Sequence, residues 1–181
     1  MTENRLDNSS QYRKRINWKT WIGNNFEIEY PSSWRAETKD KYLYFKPPDF
    51  FIYPDGKTFI TLPIVSMSIH ERETEWLASQ SLEDMIDEFL RFKVKGFRGF
   101  KLIKKSYYKV ISGEKGALLT YDYVIGSFIE RRHVRAVQGV LPKDKRLYDI
   151  SGEARKEKFP QYETDFVDLI KSLRILGKVK I

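Results

Sequence analysis

The sequence predicts an α+β fold, an antiparallel β-sheet of about six strands with helices covering its apolar faces. Three observations predict it. Several short runs alternate apolar and polar residues, the period-two mark of a strand with one buried face. Two other segments place their apolar residues every three to four positions, which makes one stripe along a helix. The order is strands, helix, four strands, helix, and strands that follow one another across short turns pair antiparallel.

Residues 1–16 are polar and without periodicity, a flexible tail, and one domain follows over 17–181. In "NNFEIEYPSSW" (24–34), Phe26, Ile28 and Tyr30 alternate with Glu27 and Glu29. Pro31 ends that ladder because it has no N–H to donate, Ser32 and Ser33 turn the chain, and Trp34 folds back as a core lid. A second strand is "KYLYFK" (41–46). Residues 47–63, "PPDFFIYPDGKTFITLP", hold four of the seven prolines and form a hairpin-shaped excursion turning at Pro54, Asp55 and Gly56. "IVSMSIH" (64–70) returns to strand pattern.

A helix is expected over 81–95, with Leu82, Met85, Ile86, Phe89 and Leu90 as its buried stripe. Ser81 caps it, Glu83 and Asp84 suit its positive end, Arg91, Lys93 and Lys95 suit the other, and Gly96 takes a left-handed stop. Strands follow over about 100–111, 116–125, 128–139 and 146–151, turning at Gly113, Gly126 and "LPKDKR" (141–146). In the second of these, Tyr121 and Tyr123 face in and Thr120, Asp122 and Val124 face out. A last helix over 160–174 buries Tyr162, Phe166, Leu169, Ile170 and Leu173.

The totals exclude several functions. At 41% hydrophobic and 32% charged, 181 residues make a soluble chain with one good core, and eleven Tyr, twelve Phe and four Trp suit pleated surfaces. Without cysteine there is no disulfide, thiolate zinc site, thiol nucleophile or thioether lipid. No apolar run reaches the ~20 residues of a membrane span. The first fifteen residues lack an apolar signal core, so a cytoplasmic location is expected, with a leader removed upstream as the open alternative. The net charge of +8 favours acidic partners, and equally a solvated basic surface with none.

Four stretches together resemble the PsbP-like family, whose fold is shared with Mog-type Ran-binding proteins. "FEIEYPSSW" (26–34) resembles its opening strand, bend and Trp; "SLEDMIDEFL" (81–90) its acidic-starting helix; "ISGEKGALLTYDY" (111–123) its glycine turn and Tyr-bearing strand. "RLYDISGEA" and "FVDLIKSLRIL" resemble its closing strand and helix, with Leu173 where the family has Phe. The resemblance implies an antiparallel sheet between helical layers, an α/β/α sandwich, and mostly non-enzymatic docking roles. The excursion at 47–63 has no counterpart in it, and no family binding residue transfers.

Two surfaces are candidate sites. The first is the excursion: Phe50, Phe51, Tyr53 and Phe59, with Ile52, gather where prolines limit the entropy lost on docking a protein partner. The alternative reading tucks alternate rings into the sheet edge. The second is "RFKVKGFRGFKLIKK" (91–105), where Lys93, Lys95, Arg98, Lys101, Lys104 and Lys105 offer cations to nucleic acid or an anionic membrane surface. Its alternative is a helix terminus with Phe97 and Phe100 in the core. In "ERRHVRAV" (130–137), Arg131, His133 and Arg135 share one strand face, solvent-facing or paired with neighbouring acids. His70 and His133, the only histidines, lack a metal-ligand spacing, and the acids of "LEDMIDE" lie on an exposed helix side. With no nucleophile, base or metal cluster and no cofactor motif, the sequence reads as a non-enzymatic accessory domain that docks to a protein, the alternative being a basic module for nucleic acid or anionic membrane.

Overall fold

The computed structural model describes residues 17–55, 58–71, 80–126 and 131–176. The expected tail over 1–16 and the excursion's Gly56 lie outside them. In chain order the elements are β1 (Trp18–Ile22), β2 (Phe26–Pro31), β3 (Arg35–Lys39), β4 (Tyr42–Lys46), β5 (Phe51–Asp55), β6 (Thr58–Leu62), β7 (Ile64–Glu71), α1 (Leu82–Gly96), β8 (Lys101–Lys109), β9 (Lys115–Ile125), β10 (Arg132–Lys143), β11 (Arg146–Arg155), α2 (Glu163–Lys171) and β12 (Arg174–Ile175). The main sheet has seven strands rather than six, ordered β3–β4–β7–β11–β10–β9–β8, with every neighbour antiparallel. β5 and β6 pair as a separate hairpin.

The first alternating strand lies elsewhere than expected. Phe26–Pro31 is not a strand of the main sheet; it is the centre of a three-stranded sheet, β1–β2–β12. Its alternation still buries Phe26 and Ile28, against α2 and one face of the main sheet. Trp34 is the lid expected, buried edge-on to Phe166 with ring centres 5.9 Å apart.

Two core clusters occupy opposite faces of the main sheet. On one, Val137, Leu141, Tyr148 and Ile150 meet Phe166, Leu169, Ile170 and Leu173 from and just beyond α2. Two glycines let α2 sit this close. A Cβ on Gly139 would stand 2.3 Å from Ile170 Cγ2, and one on Gly152 would stand 2.5 Å from Phe166 Cγ. On the other face, Ala117, Leu119, Tyr121, Val134 and Ala136 meet Ile86 of α1 and Leu62 of the hairpin. Both faces of β9 are therefore covered, and Asp122, expected to face solvent, is only 9% exposed.

α1 opens with a reciprocal cap: Ser81 Oγ accepts from the Asp84 N–H (3.1 Å), and the Ser81 N–H donates to Asp84 Oδ2 (3.2 Å). Its end differs from expectation. Gly96 is not left-handed; the helix runs through it, and Phe97, in extended conformation at φ −108°, caps it with its N–H on the Lys93 carbonyl. The left-handed residue is Gly99, at φ +63°. The second helix is likewise shorter than 160–174, a 3₁₀ turn over Phe159–Gln161 followed by α2. Gly113 and Gly126 turn the chain at positive φ, whereas Leu141–Lys143 continue β10, and Asp144, at φ 53°, leads the tight turn into β11.

Candidate functional site

The hairpin lies on the α1 face, where Tyr53, Ile60 and Leu62 join the core. Period two puts Phe51 and Tyr53 on one face of β5 and Ile52 on the other. Phe51 is 63% exposed and Ile52 60% exposed, while Tyr53 and Phe50 are half-buried. The Arg132 guanidinium sits 4.7 Å from the Tyr53 ring centre, and the Phe51 and Tyr53 rings are 6.4 Å apart. The Phe59 side chain lies outside the described residues. Between hairpin and main sheet runs a cleft of about 290 Å³ lined by Phe51, Tyr53, Leu62, Pro63, Arg155 and Lys158. At one side the Tyr162 hydroxyl donates to Asp49, and burial together with that carboxylate raises the phenol's pKa.

Of the basic stretch, one cation departs from the surface. Lys95, Arg98, Lys101, Lys104 and Lys105 are exposed, but Lys93 turns inward. Its ammonium lies 4.4 Å from the Phe97 ring centre, 4.9 Å from Phe89 and 5.7 Å from Tyr121, so its cation is screened by rings. Phe97 and Phe100 belong to the core, stacked or tilted on Tyr121 and Tyr123. Lys101, Lys104 and Lys105 line β8, an edge strand, where lysines discourage another chain from pairing. The β10 cations are also occupied. Arg135 grips Asp122 with Nε and Nη2 (2.7 and 3.1 Å), and Lys156 adds a contact at 2.8 Å. The Arg135 bond chiefly, with Lys156, holds the Asp122 carboxyl below its usual range.

A polar network missed by sequence reasoning lies on the α1 face. Tyr121 donates to Gln138 Oε1 (2.7 Å), Gln138, only 2% exposed, donates to Asp149 Oδ1, and Tyr123 and Ser151 donate to Glu153 (2.7 and 2.9 Å). Burial raises the pKa of both phenols and of Asp149, the last against the pull of Gln138, Lys93 and His70. Ser68 Oγ is 2.8 Å from His70 Nε2, which resembles a nucleophile and its base. It lacks the rest of such a site. No carboxylate among the described residues hydrogen-bonds His70, and the β7 segment around Ser68 is paired on both sides, by β4 and β11. The available signal was "LYDISGE": an acid inside a strand whose flanking residues are apolar on both faces.

No family profile matches the sequence, and no curated protein matches it. Solved structures do share its fold. Cyanobacterial PsbP (CyanoP) of Synechocystis sp. PCC 6803 matches with a TM-score of 0.58 at 17% identity, over 88% of this chain and 92% of that one. The Ran-binding protein Mog1p of Saccharomyces cerevisiae matches with a TM-score of 0.51 at 11% identity, over 89% and 96%. A Pseudomonas aeruginosa protein of unknown function, described as a putative regulator, matches with a TM-score of 0.53 at 15% identity, over 90% and 99%. The chain thus has the fold common to PsbP-like and Mog-type proteins.

Proposed function

We propose that this chain is a non-enzymatic accessory domain of α/β/α build, which docks to a protein partner through its β5–β6 hairpin. One observation carries the reading: Phe51 stands exposed at a cleft walled by Tyr53, Leu62 and Pro63 and edged by the Lys158 cation, with Arg155 held by Glu157 and Asp49 by Tyr162, and its neighbour Ile52 is exposed as well. That arrangement suits a partner segment with an apolar anchor and an acidic flank. A Ran-binding protein built on the same fold supports protein binding as the kind of task. The test replaces Phe51 and Ile52 with Ser and compares capture from cell extract by variant and wild type. Capture should fall while the melting temperature shifts by no more than a few degrees, roughly 1 kcal/mol in a chain this size. Equal capture by both proteins would refute the proposal, as would a collapse in melting temperature.

A further inference from the structure

A second cleft, about 460 Å³, opens between α1 and the sheet, within the size range of small-molecule sites. Met85, Phe89, Phe92, Val140 and Leu147 give it apolar walls, and Phe92, 72% exposed, stands at its rim. Its charged and titratable groups are Lys93 and His70 on one side of the balance and Asp149 and Glu88 on the other. Lys93 and Asp149 line the same cleft, feel each other's charge, and make no ion pair with each other. Asp149 Oδ1 takes the Gln138 bond, and among the described residues no donor reaches Oδ2. The Lys93 ammonium meets only rings. Two opposite charges, recessed and held apart, with apolar walls around them, make a receptor for a molecule of the reverse polarity.

We propose that this cleft binds a small zwitterion with an apolar side chain, of the α-amino-acid class. The ligand's ammonium donates to Asp149 Oδ2, its carboxylate accepts from Lys93, and its side chain lies against Phe89, Phe92 and Leu147. An amine or an acid alone leaves one protein charge uncompensated, so it binds more weakly.

Calorimetric titration of the full chain with L-phenylalanine, L-leucine and L-methionine, and with phenethylamine and 3-phenylpropionate, tests this. At least one amino acid should saturate below about 10 mM, and the single-charge analogues should bind about tenfold more weakly or worse. Asp149→Asn and Lys93→Met should each lose about tenfold. Phe92→Ala, at an exposed rim position that carries no core packing, should also weaken binding, which separates a lost site from a lost fold. Absence of saturation by all three amino acids overturns the proposal. So does binding by phenethylamine or phenylpropionate as tight as by phenylalanine, or unchanged affinity in folded Asp149→Asn and Lys93→Met.

Discussion

Replacing glycines one at a time between α1 and β8 tests how the chain leaves the helix. At Gly96 the backbone is helical and an added Cβ meets nothing within 4 Å. Alanine there removes unfolded-state freedom without a clash, worth about 0.5 kcal/mol so near a helix end. At Gly99, φ is +63° and the Cβ would come 3.2 Å from Val124 Cγ2. Alanine there takes on the left-handed penalty, roughly 1–2 kcal/mol. For a domain of this length ~1 kcal/mol moves the melting temperature about 2–4 °C. Gly96→Ala should therefore melt about 1–2 °C higher than wild type, and Gly99→Ala about 2–8 °C lower. Circular dichroism melts with urea titrations at 25 °C read both. A destabilised Gly96→Ala would refute the reasoning, because a left-handed Gly96, the arrangement the sequence suggested, predicts that sign.

Asp122 has its pKa lowered in the folded state, so its contribution to stability is present above the unfolded carboxylate value, near ~3.9, and is lost as pH falls through the lower folded value. Asp122→Asn should lower stability at pH 7 and flatten the acid limb of a urea series; an unaltered limb would count against the brace. Asp149 carries the opposite shift, so its penalty grows as pH rises above ~3.9, and Asp149→Asn should be more stable than wild type at pH 7 and converge with it at pH 3. A variant less stable at pH 7 would show that the carboxylate stabilises the fold. Changing Lys101, Lys104 and Lys105 to Thr should raise self-association in light scattering by unmasking the β8 edge, and no rise would remove the edge-protection reading.

The sequence carried those elements whose signal is local. The stripe of Leu82, Met85, Ile86, Phe89 and Leu90 and the alternation of Phe26 and Ile28 each need only neighbours to be read. β1, β3 and β12 were missed for the converse reason. "RAETK" has one apolar residue in five and is a strand because β4 turns back on it at Asp40, φ 54°. "RI" pairs only because α2 delivers it beside β2, where Arg174 binds Glu27. The same limit hid the network on the α1 face. Tyr121, Gln138 and Asp149 come from three strands, and adjacency across a sheet leaves no trace in spacing along the chain. Lys93 was legible as a helix-terminus cation but not as an inward one, since its rings arrive from α1, its cap and β9 together.

The two helices do not hold the sheet alike. Phe166, Leu169 and Ile170 of α2 are fully buried, and Ser172, just past its end, ties the helix to β2, its hydroxyl donating to the Leu169 carbonyl (2.7 Å) and accepting from the Glu29 N–H (2.9 Å). α1 buries only Met85 and Ile86, over a face interrupted by hydroxyls, an amide and two carboxylates. In the currency of amide exchange these are separate opening units. The protons of α1 will trade with deuterated solvent through a local lifting of that helix, while those of β10, β11 and α2 wait for global unfolding. A ligand held in the cleft beneath α1 should slow exchange in α1 ahead of any other element.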